Sequence, residues 1–275
     1  MIVSSLTALK TYRNFHWRLL PKRQIATESA CLRLLEESGF CLIFGSEAIS
    51  LPKIYDAARD DSDWWNWKDT LQAKKKAYLG RLFCRKAALV SMDMLPYVLA
   101  RYLENGGSLV ADEEHYYGKL THGAKRIADY LDSHGPTAAD TLRKTLFKQN
   151  PEGTRRFHIY LFELQSKFKI VTVGLKEKGW GVRILGLFSE WVPEAVLRKA
   201  ERIPKEEAYE KIIERYVGTA GMVKRKEWSR VFGEGEENLA ALNRLRQKEI
   251  LLFEKFHGRE WVVSRRMHDL LRQGR

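Results

Sequence analysis

The spacing of apolar residues in the first third of the chain predicts helices joined by short apolar runs. Residues 27–38 place apolar side chains on one helical face, with a threonine that can cap the start and a glycine after the end. The run 39–47 is interpreted as a strand or buried turn. A short helix is predicted over residues 52–59 and a loop over residues 60–68, and repeated leucines predict one long helix from Thr70 to Leu103.

The same order of elements is predicted twice in the rest of the chain. Residues 121–188 contain two predicted helices, a third from Arg155 to Lys167, and two strands joined by a basic turn, with Thr137 as the cap of the second helix. Residues 203–265 repeat that order. Three helices followed by a hairpin is the order of a winged helix-turn-helix module, in which the hairpin is the wing.

These patterns predict the fold class and the division of the chain. We expect a mainly α protein with small β-hairpins (α+β), built of tandem winged helix-turn-helix modules. Residues 1–117 are interpreted as an N-terminal helical module, a degenerate winged helix. Residues 118–192 are the second winged-helix module, and residues 193–275 are a linker and the third.

The chain is strongly basic, and the positive charge is unevenly distributed. Its 275 residues include 48 Lys and Arg against 35 Asp and Glu, which gives a net charge of +13. Residues 1–118 contain 16 basic and 14 acidic side chains, whereas residues 119–275 contain 32 and 21. Such a surplus points to a polyanion, either nucleic acid or an anionic membrane surface, against the alternative of charge for solubility alone.

Other features of the composition argue against several classes of protein. Cys31, Cys41 and Cys84 are an odd number without CxxC spacing, which argues against a disulfide framework or a zinc site. The sequence contains neither a signal peptide nor an apolar run long enough to span a membrane, so we expect a cytoplasmic protein without a membrane partner. Motifs for a phosphate cradle, a zinc protease and a nucleophile elbow are absent, so we expect no metal and no cofactor.

The candidate DNA contacts are the basic residues of the third helices and the wings. In a winged helix the third helix enters the major groove and the wing contacts the backbone. Arg155 and Arg156 are predicted at a helix N-terminus, where donors reach bases or phosphates. The predicted contacts of the second module are Arg155, Arg156, His158, Lys167, Lys176, Lys178, Trp180 and Arg183, and those of the third are Arg244, Lys248, Lys255 and Arg259.

Alternatives stay open for several of these features. Winged helices also serve as protein-docking modules, and solvated helix faces are often basic. Trp64, Trp65 and Trp67 suit stacking on bases, although a cluster that packs helices together explains them as well. Residues 60–63 (DDSD) lack the alternating ligands of a calcium loop, so a solvated loop is the favoured interpretation.

Three stretches of the chain resemble a known protein family. They are residues 83–101 (FCRKAALVSMDMLPYVLAR), 179–208 (GWGVRILGLFSEWVPEAVLRKAERIPKEEA) and 203–233 (IPKEEAYEKIIERYVGTAGMVKRKEWSRVFG). Their order and spacing resemble the winged-helix DNA glycosylases of the AlkZ and YcaQ type, in the AlkZ-related branch, over about residues 24–270. The resemblance implies three tandem winged helices around a concave basic channel, double-stranded DNA as the partner, and excision of bulky alkylated or crosslinked bases.

The catalytic signature of that family has no counterpart in this chain. It is a Gln-x-Gln or Gln-x-Asp that positions and activates water, and the resemblance places it in residues 39–45, where Phe40, Cys41 and Leu42 stand instead. Apolar side chains cannot hold a water or stabilise a cation. We therefore expect little or no base excision by the family's usual route. If excision occurs, Glu47 and Asp93 are the candidate acids.

The sequence thus favours a double-stranded-DNA-binding tandem winged-helix protein in DNA repair or genome maintenance. Two alternatives remain: a divergent glycosylase that excises alkylated or crosslinked bases, and a non-enzymatic transcriptional regulator. A regulator more often adds dimerisation helices or a ligand pocket, and the sequence contains neither signal, so a monomer is the working expectation.

Overall fold

Three small sheets and the helices around them make up the part of the protein that the structure describes. The structure is a computed structural model that describes residues 2–45, 48–176, 181–256 and 258–273. These residues form fifteen α-helices and nine β-strands, and the strands lie in three antiparallel sheets of three strands each. The predicted fold class, mainly α with small β-hairpins, is confirmed.

The first repeat, residues 28–91, runs in the order helix, strand, helix, helix, strand, strand. Its elements are α2 (Glu28–Ser38), β1 (Phe40–Leu42), α3 (Ile54–Ala57), α4 (Trp64–Ala73), β2 (Ala77–Arg81) and β3 (Ala87–Ser91). The side chain of Thr27 caps α2 by accepting a hydrogen bond from the N–H of Ala30, and Gly39 ends the helix with a φ of 78°. The helix predicted over residues 27–38 is therefore confirmed.

The long helix predicted from Thr70 to Leu103 is wrong. Residues 77–91 form the hairpin of β2 and β3, and the helix α5 (Leu95–Glu104) begins after it. Both strands are buried on both faces, so their apolar residues do not alternate with polar ones. Without that alternation, the spacing of apolar residues cannot distinguish a strand from a helix. The helix predicted over residues 52–59 is only the single turn α3, and the loop predicted over 60–68 is wrong in part, because α4 begins at Trp64.

The second repeat, residues 122–187, has the same order of elements. They are α7 (His122–His134), β4 (Thr137–Ala138), α8 (Ala139–Leu146), α9 (Pro151–Ser166), β5 (Ile170–Leu175) and β6 (Arg183–Leu187). Thr137 was predicted to cap α8, and that prediction is wrong. Its backbone lies in β4, and its hydroxyl donates to the carbonyl of Gly135 instead, a local turn bond that competes with capping.

The third repeat, residues 205–264, completes the pattern. Its elements are α12 (Lys205–Ala220), β7 (Met222–Lys224), α13 (Arg225–Phe232), α14 (Glu236–Gln247), β8 (Leu251–Phe256) and β9 (Arg259–Ser264). In each sheet the last strand along the chain lies in the middle, in the orders β1-β3-β2, β4-β6-β5 and β7-β9-β8. The order predicted for the second and third modules is thus observed, and the first repeat shares it. The domain boundaries stay a prediction.

The N-terminal helix packs against the third repeat, at the other end of the chain. The helix α1 (Ile2–His16) buries Leu9 and Tyr12 in one cluster with residues of β7 and β9. The hydroxyl of Tyr12 donates to the carbonyl of Gly218 (2.8 Å), and Nε1 of Trp17 donates to the carbonyl of Thr219 (3.0 Å). The remaining helices are α6 (Ala111–Tyr116), α10 (Phe188–Trp191), α11 (Glu194–Arg202) and α15 (Arg265–Gln273).

The repeats are packed closely against one another. The third helix of the first repeat, α4, lies on β5 of the second, where the side-chain oxygen of Gln72 accepts a hydrogen bond from the N–H of Thr172 (2.7 Å). Phe83, in the turn between β2 and β3, contacts the ring of Tyr216 in the third repeat (5.3 Å between centroids). Both the third helix and the hairpin turn of the first repeat are therefore partly covered by the other repeats.

Candidate nucleic-acid interface

The third helix of the second repeat begins earlier than the sequence indicated. α9 starts at Pro151, and the side chain of Asn150 caps it by accepting a hydrogen bond from the N–H of Gly153 (2.8 Å). The expected start at Arg155 is therefore wrong, because the cap and the first turn of the helix lie before that residue. Arg155 and Arg156 project from the second turn of α9, and only the capped first turn offers free backbone N–H groups.

The DNA contacts predicted on α9 differ in whether they already form an ion pair with an acidic side chain of the protein. Arg155 and His158 are exposed, and no ion pair involves Arg155 among the described residues. Arg156 forms an ion pair with Glu152 one turn before it (2.6 Å). Lys167, just after the helix, lies 3.3 Å from the buried carboxylate of Glu114.

The hairpin of the second repeat, which is predicted to be a wing, is described only at its base. Lys176 forms an ion pair with Asp140 of α8 (2.9 Å). Arg183 lies beside Arg81 of β2, whose pKa is lowered first by burial and then by the charge of Arg183. Lys178 and Trp180 lie outside the described residues, so the tip of this wing stays a prediction.

The third repeat presents its predicted contacts in two different ways. Arg244 of α14 and Lys248, the residue after that helix, both bind the carboxylate of Glu210 on α12, with Lys248 at 2.6 Å. Lys255 and Arg259, at the end of the hairpin, are exposed and make no ion pair with any described residue. Half of the basic residues proposed for this repeat are thus engaged within the protein.

A cleft of about 690 Å³ lies between α1 and the third repeat. Among the described residues, basic side chains predominate in its lining: Arg13, Lys224, Lys226, Arg230 and Arg259, against the acid Glu227. Apolar side chains complete it, among them Leu6, Leu9, Phe256 and Trp261. Of these cations, only Arg259 is among the DNA contacts predicted from the sequence.

Two charged side chains of the cleft are held by the protein itself. The carboxylate of Glu227 accepts hydrogen bonds from the N–H of Ser50 (2.7 Å), the hydroxyl of Ser50 (2.9 Å) and the hydroxyl of Tyr216 (2.8 Å). Burial, and then the Glu227 carboxylate, raise the pKa of Tyr216, so the phenol keeps its proton and donates. Arg13 donates to the carbonyls of Ala220 (3.0 Å) and Met222 (2.9 Å).

The other four cations of the cleft are free of carboxylates. Among the described residues, Lys224, Lys226, Arg230 and Arg259 form no ion pair. Lys226 and Arg230 are four residues apart on α13, which places them on one face of that helix. That spacing within the segment KRKEWSR was the sequence signal for this surface, although it does not reveal that α1 forms the opposite wall.

The segment expected to carry a catalytic signature lies in the core. Phe40, Cys41 and Leu42 form β1, and each has an exposed fraction of 0%. Burial raises the pKa of the Cys41 thiol to about 12, against the opposing effect of its contact with Ser38. A buried, protonated thiol cannot activate water.

Neither candidate acid is placed in the cleft by the structure. Asp93 is half-exposed and binds Arg215 (3.1 Å), and its other oxygen accepts a hydrogen bond from Ser91. Glu47 lies outside the described residues. In the described part of the chain no three His, Cys, Asp or Glu side chains are grouped to hold a metal, and no helix there is long and apolar enough to cross a membrane.

Comparison with sequence families identifies the group to which the chain is related. The sequence model of the AlkZ-related family matches residues 25–233, about three quarters of the chain. The chain belongs to the AlkZ-related family. In this AlkZ-related chain, α1 precedes the matched range, and α14, β8, β9 and α15 follow it.

A solved structure shares the fold of this AlkZ-related chain. The DNA glycosylase AlkZ of Streptomyces sahachiroi matches with a TM-score of 0.59 and 13% sequence identity. The match covers 97% of this chain and 71% of that one. At this identity the likeness shows a common fold and does not carry over an activity. The search of curated proteins finds no match.

Proposed function

We propose that this protein binds double-stranded DNA and acts in DNA repair. Its family and its fold agree with this proposal, since a solved protein of the same fold is a DNA glycosylase. The observation that carries the proposal is a set of exposed cations that have no carboxylate partner among the described residues: Arg155 on α9, and Lys224, Lys226, Arg230 and Arg259 around the cleft. An unpaired cation can bind a phosphate without breaking an existing ion pair, and each such contact releases counterions from the DNA.

We interpret the three repeats as tandem winged helices with unequal roles. The third helix of such a module enters the major groove, and its hairpin contacts the backbone. In the first repeat α4 lies against β5, so this helix is not available for a groove. DNA contact therefore falls to the second and third repeats, which also carry most of the positive charge.

Base excision by the family's route is the alternative that the site supports less well. A glycosylase must hold a water or a polar group beside the bond that breaks. In this chain the corresponding strand is apolar and buried, at Phe40, Cys41 and Leu42. Binding of damaged DNA without efficient excision agrees both with the unpaired cations, which can bind phosphates, and with the apolar strand β1, which cannot position a water.

The test is the salt dependence of duplex binding, measured by fluorescence anisotropy. We expect the logarithm of the association constant to fall with the logarithm of salt concentration, with a slope of about −0.9 for each phosphate contact. The variant carrying Arg155→Glu and Arg259→Glu should reduce that slope by about 2, because it removes two contacts.

A matched control changes two cations that already have carboxylate partners. Arg198 pairs with Glu194 (3.5 Å) and Lys205 pairs with Glu237 (3.1 Å), so Arg198→Glu with Lys205→Glu has the same change in net charge. The control should keep the slope of the wild type. A flat salt titration of the wild type, or equal loss in both variants, would contradict the proposal.

A further inference from the structure

The cleft between α1 and the third repeat has the size and the lining of a binding site. Its volume of about 690 Å³ lies within the range of pockets that enclose small ligands, about 300–1,000 Å³. One wall is α13 with β7, and the opposite wall is α1.

The charge of the cleft selects an anion. Lys224, Lys226, Arg230 and Arg259 line it without ion pairs among the described residues, whereas Glu227 has its carboxylate bound by Ser50 and Tyr216. Like charges so close together repel each other, and an anion placed between them relieves that repulsion. An oxygen-rich group such as a phosphate satisfies both the guanidinium and the ammonium donors.

The apolar and aromatic side chains of the lining favour an anion that also has a flat, apolar part. Leu6 and Leu9 of α1 face the cleft, with Phe256 and Trp261 of the hairpin also in its lining. The two rings of Phe256 and Trp261 contact each other edge to face, 6.4 Å between centroids. Half of the Leu6 side chain is exposed, at 49%, so this apolar wall is open to a ligand.

We propose that the cleft binds one unpaired nucleotide of a DNA strand. Its phosphate lies against Lys226 and Arg230, and its base lies against Leu6 and the ring of Phe256. A base that is paired and stacked inside a duplex cannot enter a cleft of this size, so the site distinguishes DNA that carries an unpaired nucleotide. The inference rests on the proposed DNA binding and adds a preference for which DNA is bound.

The experiment compares three probes by fluorescence anisotropy. They are a perfect duplex, the same duplex with one extra unpaired nucleotide, and a free deoxynucleoside 5′-monophosphate as competitor. Stacking of one base on a protein side chain is sufficient for a large preference, so the wild type should bind the bulged duplex about tenfold more tightly or better.

Two variants and one control locate that preference. Lys226→Glu with Arg230→Glu should abolish it, and Leu6→Ser, which leaves the charge unchanged at an exposed position, should reduce it severalfold while binding of the perfect duplex is retained. Arg198→Glu with Lys205→Glu, an equal change in charge on cations that have partners, should keep it.

The outcomes separate this inference from the proposed function. Equal affinity of the wild type for bulged and perfect duplexes overturns the inference and leaves DNA binding intact, whereas absence of binding to either overturns both. Full preference in the Lys226 and Arg230 double variant, or in Leu6→Ser, shows that the nucleotide binds elsewhere and also overturns it. If the free monophosphate binds more tightly than the bulged duplex, the ligand of the cleft is not a nucleotide within a DNA strand, and the inference is overturned.

Discussion

At the scale of single residues, the cations predicted to contact DNA differ most in whether they already form an ion pair with a carboxylate. Arg156 lies 2.6 Å from Glu152, whereas its neighbour Arg155 is exposed and unpaired among the described residues. An exposed ion pair contributes little to stability. It nevertheless competes with a phosphate for the same guanidinium, so an unpaired cation is the better DNA contact.

The two neighbouring arginines should therefore have unequal effects on DNA binding. Arg155→Glu should weaken duplex binding by about tenfold, as expected for loss of one good contact of about 1–3 kcal/mol. Arg156→Glu should weaken it less, although both variants change the charge equally. Anisotropy titrations at one salt concentration measure both. A larger effect of Arg156→Glu would mean that the ion pair with Glu152 opens to contact the DNA.

A second feature at this scale is a buried lysine. Lys169, at the start of the second hairpin, lies 3.7 Å from the buried carboxylate of Glu114 and donates to the carbonyl of Ser108. Burial lowers the pKa of Lys169 to about 8, although the charge of Glu114 opposes that shift. Burial by itself raises the pKa of Glu114, but the hydrogen bond from Tyr102 and the charge of Lys169 outweigh it and hold that pKa below its usual value.

The low pKa of Lys169 predicts a stability that rises with pH above about 8. In the unfolded chain the pKa of this lysine is near its ordinary value of 10.5, so between about pH 8 and 10.5 the unfolded state binds more protons than the folded state. The free energy of unfolding should therefore gain about 2 kcal/mol between pH 8 and 9.5 from this group. Urea unfolding of the wild type and of Lys169→Met at several pH values measures the gain as a difference.

The control for this prediction is an exposed lysine. Lys205→Met removes an ammonium at the surface, and its pH dependence should follow that of the wild type. If the difference between the wild type and Lys169→Met stays constant from pH 8 to 9.5, the lysine does not titrate in that range.

At the scale of elements, α1 ties the start of the chain to its end. Its inner face carries Leu9 and Tyr12, which join Met222, Val263 and Met267 in one buried cluster. The same helix supplies a wall of the cleft, through Leu6, Leu9 and Arg13. A helix that serves both purposes links the stability of the third repeat to the shape of the proposed nucleotide site.

Truncation of the buried face of α1 should destabilise the protein much more than truncation of its exposed face. Leu9 is 6% exposed and Leu6 is 49% exposed on the same helix. Leu9→Ala should lower the free energy of unfolding by about 2–4 kcal/mol, because it leaves a cavity, whereas Leu6→Ala should change it by about 0.5 kcal/mol or less. Thermal or urea unfolding of the two variants compares them directly. Equal effects would mean that α1 is not docked in solution as described.

At the scale of the whole molecule, three units of one topology have unequal roles. The first repeat buries its third helix against the second and packs its hairpin turn against the third. The second and third repeats leave unpaired cations on their surfaces. The architecture thus uses one repeat as a scaffold and two as the proposed DNA-binding units.

The buried strand β1 predicts weak or absent base excision by the intact protein. Loss of a positioned general base costs about 10²–10⁴ in rate, and β1 offers no polar side chain to take its place. The pure protein is incubated with alkylated and crosslinked duplexes, and the released base is measured. The amount of released base should not exceed background. DNA binding should persist, since the cations lie elsewhere.

Clear excision by the wild type would contradict that expectation. In that case Glu47→Gln and Asp93→Asn variants identify the acid that acts, by loss of excision with binding retained. Asp93→Asn also weakens the ion pair with Arg215, so its unfolding should be measured in parallel.

Features that depend on neighbours along the chain could be predicted from the amino-acid sequence. The cap at Thr27, the end of α2 at Gly39 and the repeated order of three helices and a hairpin all follow from local residue types. The sequence also shows that residues 40–42 are apolar, and therefore that the polar catalytic signature of the family is absent there. These features need no distant partner, because capping and periodicity act within one or two turns.

The strands at residues 77–91 and the set of cations without ion pairs depend on tertiary contacts. The sequence of the hairpin β2–β3 predicts a helix, because both strands are buried on both faces and so lack an alternating pattern. That burial is set by their packing partners. Pairing of Lys248 with Glu210 joins residues 38 positions apart, and α1 meets the third repeat across about 200 positions. No local pattern encodes such contacts, since charge pairing and cleft walls arise where distant segments are brought together by burial of the core.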